Sequence, residues 1–139
     1  EKRTDYSFKI NTVHHDLCKE LPEDLKNSFD VFFSDPPYTL EGIKLFASRG
    51  VGGLRNEPGK TAYISFPARA PDEISSIFGA FSLLGLAPKE FIPGFNRYIG
   101  AQLHAGSSNM LRCTTGSLGS TDLSVDVSRI YTSQRRKGF

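Results

Sequence analysis

Phe29-Asp30-Val31-Phe32-Phe33-Ser34-Asp35-Pro36-Pro37-Tyr38-Thr39 is a largely apolar run that stops abruptly at an acid, two prolines and an aromatic. A short apolar run rich in aromatics and bounded by turn residues reads as a buried parallel strand. Proline cannot donate to the interior of a ladder, so the strand is expected to end near Ser34. Proline also fixes its own φ and keeps the preceding residue extended, so Pro36 constrains Asp35 and Pro37 constrains Pro36. Asp35 and Tyr38 are thereby expected on a rigid lip at the carboxyl end of a strand, where open α/β sheets bind their ligands.

Upstream, Tyr6, Phe8 and Ile10 alternate with Ser7, Lys9 and Asn11, the period of a strand, and the pattern runs through Thr12-Val13 into His14-His15-Asp16. Pro22 to Lys26 predicts a short helical turn with acids near its start. Downstream, Thr39 is placed to cap a helix whose Leu40, Ile43, Phe46 and Ala47 share a face and which ends in Gly50, Gly52 and Gly53. Thr61 to Phe66 predicts a further strand stopping at Pro67. Pro71, Asp72 and Glu73 open a helix whose stripe is Ile74, Ile77, Phe78, Phe81 and Leu84, closed by Gly85. Phe91 to Leu103, broken around Pro93-Gly94, and Met110 to Thr115 predict an antiparallel pair.

The order predicts an α/β fold with a mostly parallel sheet and an antiparallel terminal hairpin, resembling the C-terminal half of a Rossmann-like methyltransferase-type domain. Residues 1–116 would form that part and residues 117–139 a tail, with Leu123 to Ile130 either an extra strand or disordered. No G-x-G-x-x-G turn precedes Asp16, so the half that would cradle a cofactor is missing. The chain is therefore expected to be a fragment or processed piece of a longer protein, incomplete and inactive by itself.

With 17 Lys and Arg against 15 Asp and Glu, a net charge of +2 argues against a nucleic-acid partner, and Arg135-Arg136-Lys137 reads as a solvated end. No stretch approaches the roughly 20 apolar residues of a membrane span. Glu1 to Asp5 carries no signal-peptide pattern, and the expected location is cytoplasmic. Cys18 and Cys113 lack metal or redox spacing and read as buried free thiols, while His14 and His15, adjacent in a strand, would face opposite sides. No metal site is expected.

Asp35-Pro36-Pro37-Tyr38 resembles the D/N/S-P-P-Y/F/W motif of enzymes that methylate exocyclic amino groups from S-adenosylmethionine. The stretch from His15-Asp16-Leu17 through Asp35-Pro36-Pro37-Tyr38-Thr39-Leu40-Glu41-Gly42 to Phe46-Ala47-Ser48-Arg49-Gly50 is similar more specifically to the branched-chain polyamine synthases of thermophilic archaea and some thermophilic bacteria. Pro93 to Ala101 and Ser108 to Leu111 extend the likeness to about Gly116. The resemblance implies aminopropyl transfer from decarboxylated S-adenosylmethionine to the secondary amine of spermidine. That family's Gly-Asp-Asp-Asp segment is absent from this sequence.

The resemblance implies Asp35 as the catalytic acceptor for the amine, Pro36, Pro37, Tyr38, Thr39 and Glu41 as substrate-binding residues, and Asp16 and Leu17 beside the adenine of the co-substrate. For Asp16 a turn cap is the equal alternative, and for Glu41 an ordinary acid in a helix's first turn. Asn96, Arg97 and Tyr98 read either as pocket lining or as a hairpin shoulder. Two other functions stay open: an S-adenosylmethionine-dependent methyltransferase acting on an amino nitrogen, and a non-catalytic module that packs on a partner or, as a homodimer, on itself through an exposed apolar edge.

Overall fold

The computed structural model describes residues 7–97, 99, 106–117, 121 and 123–131. Tyr6, Tyr98, the strand expectation from Gly100 to Leu103 and the basic cluster Arg135-Arg136-Lys137 lie outside the described residues. The elements are β1 (Val31–Ser34), α1 (Leu40–Gly53), β2 (Thr61–Phe66), α2 (Pro71–Leu83), β3 (Leu86–Arg97) and β4 (Ser107–Thr115), with 3-10 turns at Glu23–Leu25 and Val127–Arg129.

The four strands stand in the order β1-β2-β4-β3. β1 pairs parallel with β2, from Val31 opposite Thr61 to Ser34 opposite Ile64. β4 runs antiparallel to both β2 and β3. The fold is therefore the expected α/β kind with an antiparallel terminal hairpin, but its sheet is not mostly parallel. β1, β2 and β3 point the same way; the crossover through α2 leaves a gap beside β2, and the reversed β4 fills it. Inserting the return strand internally makes two of the three pairings antiparallel.

Other local expectations are corrected for equally physical reasons. Residues 7–13 have no ladder partner among the described residues, and Phe8 and Ile10 are exposed. Alternation predicts a strand only where another edge accepts its hydrogen bonds. β1 is parallel but not buried: it is an outer strand, and Val31 and Phe33 are more than half exposed. β3 begins at Leu86, earlier than expected, and carries Pro88 and Pro93, which an edge strand tolerates because one side of its ladder is open. Residues 123–130 contain a 3-10 turn and no strand. Of the two free cysteines, Cys113 is buried, with burial raising its thiol to about 11, whereas Cys18 is exposed.

Both helices pack on one face of the sheet. The core joins Ile43 and Ala47 of α1, Ala62, Ile64 and Phe66 of β2, Ile77 and Phe81 of α2, and Leu111 and Cys113 of β4. Phe32 of β1 points toward α1, where an added Cβ on Gly50 would come within 2.5 Å of its ring. This explains a glycine inside a helix, where alanine is ordinarily favoured by about 1 kcal/mol. Pro71 opens α2, the Glu73 carboxylate accepts from the Ala70 amide at 3.3 Å, and Gly85 at φ +73° turns the chain into β3.

At the amino end of β1, Asp30 accepts from Arg55 and, at 2.9 Å, from Lys60, which also reaches Glu57 at 3.1 Å. The hydrogen bond from Arg55, then that from Lys60, holds the Asp30 carboxyl down to about 2. A depressed folded value means that the contribution to stability is complete above the ordinary 3.8 and fades as pH falls through about 2. Asp30→Asn is therefore expected to melt below the unsubstituted chain at neutral pH, with the gap closing as the pH of the thermal scan is lowered toward 2. An equal gap at both ends would show that the loss does not come from the ionised carboxylate.

Candidate functional site

The lip forms where β1 ends. Asp35 follows Ser34 directly, Pro36 is buried, and the chain turns back so that Tyr38, three residues on, meets Asp35. The Tyr38 hydroxyl donates to Asp35 Oδ1 at 2.8 Å. Ser65 on the neighbouring strand β2 donates to the same oxygen, also at 2.8 Å, and lies 3.5 Å from the Ser34 carbonyl. Ser65 is fully buried, whereas the Asp35 side is open to solvent. The carboxylate is thus gripped from the protein side and from the lip, and a carboxylate so held is a ready acceptor for a cation or an N–H.

Thr39 does two jobs. Its Oγ1 accepts from the Gly42 amide at 2.9 Å, capping α1, and donates to the Ile130 carbonyl in the tail. Glu41 pairs with Lys44 at 2.9 Å and accepts from the Asp126 amide at 2.6 Å. Burial opposes its charge, but Lys44 and the Asp126 amide outweigh that and hold its carboxyl below the ordinary range. These two side chains, expected to meet substrate, are placed where they fasten residues 126–130 against the start of α1. Gly42 shares the junction, and a Cβ there would come 2.6 Å from the Pro37 carbonyl and 3.0 Å from that of Ile130.

Asp16 accepts from the Cys18 amide at 3.0 Å, a local turn cap, and this hydrogen bond is the chief reason its carboxyl sits below the ordinary value. Leu17 is held over α1 because Arg49 donates to the carbonyls of Leu17, at 2.9 Å, and Lys19, at 3.0 Å. A cleft of about 420 Å³ brings Leu17 and Asp35 together, floored by Phe32, Phe33 and Phe46 with Ser34 at its side. Asp16 lines a separate recess of about 250 Å³ with Leu17, Phe46, Ile130 and Tyr131. A more polar cleft of about 320 Å³ around Arg55, Gly85 and Thr115 lies at the opposite, amino end of β2. Asn96 donates to Ser108 at 3.0 Å within the hairpin.

Sequence reasoning missed Ser65 and Arg49. Ser65 carries one signal, a hydroxyl next to the last residue of the strand that neighbours the one bearing the acid; for Arg49 the sequence offers none, because its acceptors are backbone carbonyls 30 and 32 residues away. Among the described residues, no cluster of three His, Cys, Asp or Glu side chains is placed to hold a metal ion, and no helix is long and apolar enough to cross a membrane.

Strand order and lip define a small mixed α/β domain whose architecture matches that of solved branched-chain polyamine synthases. The structure of the Thermus thermophilus branched-chain polyamine synthase, in complex with N4-aminopropylspermidine and 5'-methylthioadenosine, matches with a TM-score of 0.64 at 23% identity, over 85% of this chain and 39% of that one. A mutein of the same enzyme matches with a TM-score of 0.65 at 21% identity. Residues 1–116 match the family model for the branched-chain polyamine synthase A C-terminal domain, and the chain belongs to that family. It is 41% identical to an uncharacterised protein of Methanocaldococcus jannaschii over 89% of its own length and 31% of that protein's. It is 33% identical to the N(4)-bis(aminopropyl)spermidine synthase of Thermococcus kodakarensis over 65% of its length and 26% of the enzyme's. The chain thus spans roughly a quarter to a third of these relatives.

Proposed function

We propose that this chain is the C-terminal part of a catalytic domain that transfers an aminopropyl group from decarboxylated S-adenosylmethionine to the secondary amine of spermidine, and that the Asp35 lip is the wall that holds the amine. The observation that carries the reading is the Asp35 carboxylate, fixed by Tyr38 and Ser65 at the edge of an apolar cleft that also contains Leu17. Membership of the polyamine synthase family and the names of the relatives support it.

The chemistry asks for what the lip offers. The amine lone pair attacks the methylene carbon beside the sulfonium, the carbon–sulfur bond breaks, and its electron pair stays on sulfur as the neutral thioether of methylthioadenosine. The nitrogen gains positive charge as the new bond forms, and its proton passes to the Asp35 carboxylate and on to solvent, leaving a neutral tertiary amine. Asp35 and the carbonyl of Pro36 orient the N–H and offset the developing charge, while Tyr38 lays its ring beside the cationic amine. Leu17 and Phe46 give the adenosine portion an apolar bed, with Asp16 near its amino group. A net charge of only +2 is too small to imply the basic track that a nucleic-acid substrate would ask for.

Phe29, Val31 and Phe33 leave an exposed apolar edge on β1. In this reading the rest of a longer catalytic domain closes against that edge and supplies the co-substrate's phosphate-free ribose contacts and a second acid. The reading is tested by incubating the full-length gene product with spermidine and either decarboxylated or ordinary S-adenosylmethionine and weighing the products. A mass gain of one or two aminopropyl groups with the decarboxylated donor supports it; methyl addition with the ordinary donor, or no transfer with either, overturns it.

A further inference from the structure

The fully buried Ser65 has its hydroxyl 2.8 Å from Asp35 Oδ1, the same oxygen to which Tyr38 donates at 2.8 Å. We infer that Ser65 is a positioning residue of the site: together with Tyr38 it sets the plane of the Asp35 carboxylate, and so the direction from which an amine is received. The inference rests on the amine-holding role proposed for Asp35.

An ionised carboxylate only accepts hydrogen bonds, so both hydroxyls must donate, and two donors converging on one oxygen restrict rotation about the bond that carries the group. The donors differ in what holds them. Tyr38 stands on the lip itself, three residues from Asp35. Ser65 belongs to β2, whose Ser65 pairs with Met110 of β4 while Ile64 pairs with Ser34 of β1, so its hydroxyl is referenced to the sheet. Of the two, Ser65 is the one that transmits the sheet's geometry to the acid. A serine here is also costly unless its hydroxyl is partnered, because no water reaches a side chain with 0% exposure, and Asp35 is the best-placed acceptor. The alternative acceptor, the Ser34 carbonyl, stands at 3.5 Å.

The test uses the full-length gene product. Ser65→Ala leaves no orphaned hydroxyl at the buried position and is expected to fold, with kcat for aminopropyl transfer lowered about tenfold and KM for spermidine changed less than about twofold. In an Asp35→Asn background the same substitution should lower kcat no further. Ser65→Thr, which keeps the hydroxyl, should recover most of the loss. Equal effects of Ser65→Ala in both backgrounds, or wild-type kcat in the single variant, would overturn the inference. An unfolding cycle on Ser65→Ala, Asp35→Ala and the double variant is independent of turnover: non-additive midpoints support the contact, and additive ones overturn it. If the wild-type protein fails to transfer aminopropyl groups at all, the proposed function falls, and the unfolding cycle still decides whether Ser65 holds Asp35.

Discussion

Asp35→Ala in the full-length gene product is expected to lower kcat/KM for aminopropyl transfer to spermidine by about 10²- to 10³-fold, corresponding to ~2.7–4 kcal/mol of lost transition-state stabilisation. The size follows from where charge develops. Neutral attacking nitrogen becomes cationic as the donor's sulfonium becomes neutral, so an acceptor at the nitrogen is worth more in the transition state than in the ground state. The fold should survive, because Asp35 is exposed and beyond the last residue of β1. The main structural cost is at Ser65, whose buried hydroxyl loses its 2.8 Å partner, a loss of ~1–3 kcal/mol. Quantifying the branched product by mass spectrometry, alongside a thermal melt, separates the two effects. A variant that retains more than a third of wild-type turnover would remove Asp35 from the reaction. Asp35→Asn, which keeps one acceptor oxygen but loses the charge, should fall between them.

The lip was readable because its information is local. Two consecutive prolines dictate backbone shape without reference to anything distant, and an acid three residues before a tyrosine can close on it through a single turn. The helices were readable for the same reason: Thr39 and Pro71 mark their starts, and the stripe from Ile74 to Leu84 is a one-dimensional pattern. What escaped was set by partners far along the chain. The position of β4 between β2 and β3 depends on a crossover and not on any residue within the hairpin, so the same sequence of elements is compatible with an outer hairpin. The alternation around Phe8 and Ile10 promised a strand, yet a strand is defined by a neighbour, and no described residue provides one. For Glu41 and Thr39 the contacts that no local pattern announces are those with the tail, whose residues lie 85 and 91 positions away.

Gly42→Ala is expected to have the second-largest effect, and the reason lies in which atoms an added methyl would meet. Its Cβ would stand 2.6 Å from the Pro37 carbonyl oxygen, 2.9 Å from Pro37 Cβ and 3.0 Å from the Ile130 carbonyl oxygen. Two of the three are backbone, so no rotamer change relieves the contact, and Pro37 cannot yield by turning its own φ. Either the lip or the start of α1 must shift. The gain in helix propensity, ~1 kcal/mol, is opposed by ~1–3 kcal/mol of overpacking, and the second term wins. Stability should therefore fall modestly while activity falls by about 10²-fold, since displacement of the lip by an ångström misaims the amine. Gly52→Ala is the internal control. It lies in the same helix, but its Cβ would meet only Leu21 and Thr121 at 3.8 Å, so it should raise the melting temperature or leave it unchanged, with full turnover. Glu41→Gln separates lip from tail: it weakens the hold on Asp126 and Lys44 without adding an atom near Pro37. If Gly42→Ala lost activity only to the extent that Glu41→Gln does, the tail and not the lip would be the element the glycine protects; a much larger loss in Gly42→Ala places the constraint at Pro37, one residue from the tyrosine that meets Asp35.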